Sequence, residues 1–156
     1  VTVGHRITGA AGGSVEEQHD IAYVAMPDRF APPPPVPLPE AAAWEHPFAA
    51  THVRLFRYSA LTFNGHRIHY DQPYATAEEG YAGLVVHGPI QATLMLNIAA
   101  TLAGTTTLAL DYRGLSPLIA GGRFAVKARR NADGGIRTWT EGADGRLRME
   151  GTARPL

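Results

Sequence analysis

Cysteine is absent from this 156-residue chain, and lysine nearly so, with Lys127 alone beside an excess of arginine. Without thiols there are no disulfides, no thiolate metal sites and no cysteine nucleophile. Neither charge sign is in excess. The 14 basic residues balance 14 acidic ones, so no global field draws the chain to nucleic acid or an anionic bilayer. The arginine bias reads as genome composition rather than as a functional cluster. No apolar run approaches the roughly 18 residues that a bilayer span requires. The opening VTVGHRITGA lacks the charged-then-apolar pattern of a leader and reads as the middle of a strand, so upstream sequence is expected. What is present suffices for a core: 45% of the residues are hydrophobic, at the length of one domain or one domain plus a remnant. A cytoplasmic globular protein is expected.

VTVGHRI and VEEQHDIAYVAM, joined by the Gly-rich TGAAGGS, read as two strands whose apolar surface is Val3, Ile7, Val15, Ile21, Tyr23 and Val24. A lone hairpin is marginal in water, so this one must pair with something. The prolines at 32–35, 37 and 39 favour extended polyproline II, and residues 31–50 read as a Pro-rich linker. From Thr51, THVRLFRYSALTF reads as a mixed strand. The uncharged IQATLMLNIAATLAG reads as a buried helix of about four turns, with Gly88 at its cap, Pro89 first and Gly104 past its end. TTLALDYRG, RFAVKARR, IRTWTE and RLRMEGTARP follow as strands of an antiparallel meander, with turns at Asp133-Gly134-Gly135 and Asp144-Gly145. A helix too apolar for solvent needs a sheet curled around it, which is an α+β fold.

Four of the seven histidines, His52, His66, His69 and His87, flank the passage into that helix. Histidine suits proton transfer near neutral pH, and Asn64-Gly-His66-Arg67-Ile-His69-Tyr-Asp71 packs polar groups between apolar segments. A solvated turn with incidental histidines is the plain alternative. His87-Gly88 before Pro89 offers close backbone approach and the unpaired N–H groups of a helix start, which suit a developing oxyanion. A metal set from His66, His69 and Asp71 or His87 matches no established spacing, so no metal is assigned. Gly114-Leu-Ser116-Pro-Leu118 fails the serine nucleophile elbow at its last position, and no phosphate loop occurs.

At these residues the chain resembles the MaoC-like hot-dog family of (R)-specific enoyl-CoA hydratases and 3-hydroxyacyl-thioester dehydratases. His69 takes the place of the family's motif histidine, Ala75 lies six beyond it, and Asp71 occupies the commonly acidic place two after it. GYAGLVVHGPIQATLML is similar to the family's glycine-led entry into its central helix, and the likeness covers residues 51–154. Asn64 stands where the family has its catalytic Asp, His66 at its Asn and Arg67 at its Pro. The string FRYSALTFNGHRIHYD, which includes Tyr58, resembles the branch of mitochondrial-type hydroxyacyl-thioester dehydratases and of mesaconyl-CoA and itaconyl-CoA hydratases.

The resemblance implies a hot-dog fold, an antiparallel sheet wrapped around one central apolar helix, over residues 51–156. Residues 1–30 would be the terminal strands of a truncated N-terminal hot dog. It also implies a lyase that adds or removes water across the α,β double bond of an acyl-CoA, with no cofactor beyond the coenzyme A of the substrate. The expected assembly is a homodimer of double hot dogs, without nucleic-acid or membrane partners. His69 would be the main acid/base residue, Gly88 N–H the donor to the thioester oxygen, and Asn64 the residue that orients water. Either His69 works alone or His66 moves the second proton. Arg67, Asp71, His87 and Tyr58 are the substrate-binding candidates. Arg67 either grips a substrate carboxylate in bidentate fashion, as in a mesaconyl or itaconyl thioester, or pairs with Asp71 or a CoA phosphate. Alternatives on the same fold are a thioesterase, disfavoured because residues 90–103 carry no carboxylate, and a non-catalytic structural unit.

Overall fold

The computed structural model describes residues 1–23, 25, 31, 33–39 and 41–156. Val24 of the expected hairpin and Pro32 of the proline run lie outside the described residues, as do 26–30 and Glu40.

Two strands, β1 (Thr2–Thr8) and β2 (Ser14–Asp20), form an antiparallel hairpin closed by the expected glycine-rich turn. Its apolar residues do not reach a core, since Ile7 and Val15 sit opposite each other and both are exposed. The second sheet has five antiparallel strands in the order β3-β5-β6-β7-β4. These are β3 (Trp44–Ala49), β4 (Leu108–Gly114), β5 (Arg123–Arg130), β6 (Ile136–Glu141) and β7 (Leu147–Pro155). Among the described residues there are also three helices, α1 (His52–Leu61), α2 (Gln72–Ala77) and α3 (Gly88–Ala103), and a 3-10 turn at Arg67–His69.

The longest helix, α3, is the buried one, and it packs on β4, β5, β6 and β7. His87 is its cap and Gly88 its first residue, one place earlier than the sequence suggested, and Gly104 closes it at φ 72° in the left-handed region. Gln91, Met95 and Ala99 recur every four residues on the buried side. Phe124, Val126 and Ala128 alternate on β5 to meet them, and Ile136, Thr138 and Thr140 do so on β6. Met95 is fully buried, and Met95→Ala would cost this layer about 2–5 kcal/mol. The buried Gln91 is satisfied where it crosses the sheet, because Thr140 Oγ1 donates to its Oε1 at 2.8 Å. Gly151 lets β4 and β7 close up under the helix: a Cβ there would stand 2.6 Å from Asp111 O and 3.0 Å from Met95 Cε. This is the expected hot-dog arrangement of a sheet around one central helix.

Three sequence expectations are corrected. The segment from Thr51 is a helix, not a mixed strand. Thr51 caps it by accepting from Arg54 N–H at 3.3 Å, and Leu55 and Ser59, four apart, bury one stripe of it. The span 31–50 does not stay irregular, since Trp44–Ala49 pairs with β5 along one sheet edge. Pro47 is tolerated there because an edge strand has a side with no ladder to serve. The last four strands are not a simple meander. β5, β6 and β7 are, but β4 lies beyond β7, so residues 115–122 must return across the sheet end. That return is pinned by Ala120 N–H to Leu84 O and by Gly121 N–H to Ala50 O, both in segments that border the helix start. Among the described residues no helix is long and apolar enough to cross a membrane.

Candidate active site

Between α1 and α3 the chain folds a compact polar segment onto the start of the buried helix. Phe63 leaves α1 at φ 53°, a left-handed conformation that reverses the chain. Asn64 Oδ1 then accepts from His66 N–H at 2.9 Å, which closes the next turn and leads into the 3-10 turn. Asp71 caps α2 through Tyr74 N–H at 3.1 Å. These local bonds turn His69 inward, where it is 7% exposed, and place Ala75, six residues on, fully inside.

His69 meets the α3 entry directly. Its Nδ1 lies 2.7 Å from Val85 O, and a carbonyl only accepts, so Nδ1 carries the hydrogen. In the neutral ring this leaves the lone pair on Nε2, the form required of a base. His87 is wholly buried and stacks on His69, with ring centroids 3.7 Å apart and planes 18° from parallel. On its other side His87 Nε2 is 2.8 Å from Ser59 Oγ of α1, and Tyr58 presents its ring edge-on at 4.7 Å. His87 Nδ1 has no partner among the described residues. Gly88 follows, and its N–H is the first of α3, where no earlier intrahelical carbonyl exists to accept it.

Both central histidines are held neutral. Burial pushes His87 down to about 4, with the neighbouring His69 adding to the effect. Burial also lowers His69, opposed by its bond to Val85 and by Glu79, and reinforced by His66. Neutral His69 can accept a proton. His87, more strongly depressed and enclosed, suits positioning rather than shuttling.

The remaining candidates divide. His66 sits edge-on to His69 at 5.6 Å, yet its Nε2 turns to Glu79 Oε1 at 3.2 Å on the exposed side. Arg67 does not point into the site: Nε and Nη2 both donate to Asp71 Oδ2, at 3.0 and 2.8 Å, and the guanidinium lies 4.0 Å over the Tyr74 ring. That pair holds the Asp71 carboxyl below its ordinary range. Among the described residues no three His, Asp or Glu side chains converge as a metal set. Beside Tyr58, a groove of about 260 Å³ opens between α1 and α3, lined mainly by Phe48, Tyr58, Leu61, Ile90 and Leu94. It is almost wholly apolar in character, and Arg54 and Arg57 stand at it too.

Sequence reasoning missed Ser59, Glu79 and the Val85 carbonyl. Ser59 was hidden by reading α1 as a strand, although its spacing from Leu55 was the available signal. A backbone carbonyl has no sequence signal at all.

Comparison with known proteins follows the same lines. The model of the family described as hydroxyacyl-thioester dehydratase type 2 matches residues 1–120. The mesaconyl-C(4)-CoA hydratase of Chloroflexus aurantiacus is 40% identical over 153 residues, which are 97% of this chain and 54% of that protein. The mitochondrial hydroxyacyl-thioester dehydratase type 2 of Schizosaccharomyces pombe is 51% identical over 49 residues, 31% of this chain and 16% of that one. The chain thus spans about half the length of the first relative and less of the second. Among solved structures, a MaoC-like dehydratase from Phytophthora capsici superposes with TM-score 0.62 at 14% identity, over 94% of this chain and 48% of that one. The unliganded R-hydratase of Pseudomonas aeruginosa gives TM-score 0.58 at 18% identity, over 73% and 79% of the two chains. These likenesses establish the hot-dog fold, and the family match establishes kinship: the chain belongs to the hydroxyacyl-thioester dehydratase type 2 family.

Proposed function

We propose that this chain carries the catalytic site of an acyl-CoA hydratase/dehydratase, a lyase acting at the α,β double bond of an enoyl thioester. The observation that carries the reading is His69, buried, neutral and fixed by Val85 O, and stacked directly on His87, the residue preceding the Gly88 N–H. In hydration, Nε2 of His69 takes a proton from water as the water oxygen bonds to the β-carbon. The π electrons move toward the thioester carbonyl, whose oxygen gains charge and is held by the Gly88 N–H at the positive end of α3. The His69 imidazolium then returns a proton to the α-carbon, so one molecule of water is added and the base is restored. Dehydration is the reverse. His66, engaged by Glu79, is not required for either proton. Asn64 cannot take a proton and orients the water through its amide.

The apolar groove beside Tyr58 suits the acyl group. A dicarboxylic substrate of the mesaconyl kind is favoured by the 40% identity to a mesaconyl-C(4)-CoA hydratase. Arg67 is already spent on Asp71 and Tyr74, so this preference does not rest on it. A second hot-dog unit would cover the exposed apolar side of α1, where Val53, Phe56 and Leu61 face outward. The test is loss of the enoyl-thioester absorbance with crotonyl-CoA and mesaconyl-CoA, read beside a His69→Ala control. Turnover that disappears in the control supports the reading, and turnover that survives it overturns the assignment of His69.

A further inference from the structure

We propose that Ser59 and His87 are positioning residues for His69: the Ser59 hydroxyl fixes the His87 ring, and that ring sets the plane and the dryness of the His69 imidazole. The inference rests on the hydratase/dehydratase reading of His69, and it assigns work to two residues that need not touch substrate.

Three elements meet in one line. Ser59 belongs to α1, His87 is the cap of α3, and His69 comes from the 3-10 turn between them. The line runs from Ser59 Oγ to His87 Nε2 at 2.8 Å, then face to face across 3.7 Å to His69, and ends at Val85 O, 2.7 Å from Nδ1. His69 alone has one in-plane anchor and keeps a rotation about it. The stacked ring removes that freedom. A base held within a few tenths of an ångström and about 10–20° of its working geometry gains rate over a loose one.

The composition of the line is informative. An apolar ring at 87 would fill the space, but burying an imidazole costs stability unless its nitrogens are paired. Here one nitrogen is paired with Ser59 and the other, Nδ1, is an orphan among the described residues. A group kept at that cost is explained by its effect on the neighbour. An imidazole face accepts a transient imidazolium against it by cation–π attraction, so the stack tolerates His69 in its protonated intermediate. A second charge in the stack would repel it, and burial keeps His87 neutral.

Four groups among the described residues bear on His69. His66 stands edge-on at 5.6 Å, Glu79 acts through space from beyond α2, Val85 supplies its carbonyl and His87 covers one ring face. Removing His87 admits water on that face while leaving the other three in place. The proton affinity of His69 then rises toward the solvent value of about 6.5.

The experiment compares Ser59→Ala, Ser59→Thr, His87→Ala and His69→Ala in turnover of mesaconyl-CoA across pH. In parallel, nitrogen-15 histidine spectra report the tautomer of His69 and the ring-current displacement of its carbon-bound protons. Ser59→Ala is expected to lower kcat by roughly tenfold with KM changed less than about threefold, and Ser59→Thr to restore most of it. His87→Ala is expected to move the acid limb of kcat/KM upward and to abolish the ring-current displacement. If His87→Ala does not fold, Ser59→Ala and its spectrum decide alone. Parent-like kcat and acid limb in both variants, with His69→Ala inactive, overturn the proposal and leave the reading of His69 standing. Lost activity with unmoved His69 resonances, unmoved acid limb and no rescue by threonine marks a merely structural role and also overturns it. Turnover that persists in His69→Ala overturns both.

Discussion

The His69 and His87 rings lie stacked 3.7 Å apart and 18° from parallel, 18 residues apart in sequence, with Val85 O on the first and Ser59 on the second. Everything chemical that we ascribe to the site depends on this pair being neutral and fixed.

The pH profile follows from the direction of the shift. Burial lowers His69, and only its neutral form accepts a proton from water. Activity is therefore lost as pH falls, with a midpoint below the solvent value of about 6.5, and stays flat through neutrality. An acid limb in kcat/KM centred above that value contradicts the assignment.

Stability has its own pH dependence through His87. Its folded value is about 4, against an ordinary 6.5 in the unfolded chain, so the unfolded state binds the extra proton. Stability is fully present above about 6.5 and is lost progressively as pH falls through the window down to about 4. Urea unfolding at points across that window checks it. His87→Phe, which carries no titrating group, should flatten the dependence, and an unchanged slope excludes His87 as its source.

Gly88 separates its backbone donor from its lack of a side chain. A Cβ there would meet only Met149 Cε, at 3.6 Å, an ordinary contact, so Gly88→Ala should fold and remain active. Gly88→Pro keeps a residue suited to a first helical position but removes the N–H. Its kcat should fall about 10²- to 10³-fold, the usual loss of one oxyanion donor. Steady-state kinetics and a thermal melt on both variants distinguish this from misfolding. Equal activity in the two removes the Gly88 N–H from the mechanism.

Arg67 is expected to matter little for substrate choice, since its guanidinium is shared between Asp71 and the Tyr74 ring. Arg67→Gln should leave the ratio of mesaconyl-CoA to crotonyl-CoA turnover within about threefold of the parent. A fall of tenfold or more in that ratio would return Arg67 to the role of a carboxylate ligand.

The buried pair under α3 gives a test of the core. Gln91→Leu or Thr140→Val alone strands one polar group and should cost about 1–3 kcal/mol by denaturant unfolding. The double variant should recover most of that loss. Additive costs would show that the 2.8 Å bond contributes nothing of its own.

Much of this architecture was legible from local chemistry. Gly88-Pro89 and Gly104 bracketed α3 to within one residue, and the glycines at 134 and 145, with φ of 82° and 71°, marked hairpin turns. His69 and Gly88 were legible as one site because their motifs lie close in sequence on either side of a short segment. The failures share a physical cause, which is that the deciding partner was remote. Val53, Phe56 and Tyr58 suit a strand as well as a helix, and the burial of Leu55 and Ser59, four apart, against the rest of the fold settles α1 as helical. β3 contains a proline and is a strand only because β5 pairs with it. The place of β4 beside β7, and not β5, depends on the return of residues 115–122, which no local pattern encodes. Arg67 had three open partners in the sequence, a substrate carboxylate, Asp71 and a CoA phosphate, and Asp71, four residues on, was near enough to take it.

The most direct test of the central claim is the initial rate of enoyl-thioester loss with mesaconyl-CoA for the parent and His69→Ala. The parent should turn over, and the variant should lose at least about 10²-fold in kcat, the scale expected of a positioned acid/base residue. It should do so while retaining the parent's melting profile. A folded His69→Ala chain that hydrates mesaconyl-CoA at the parental rate contradicts the account.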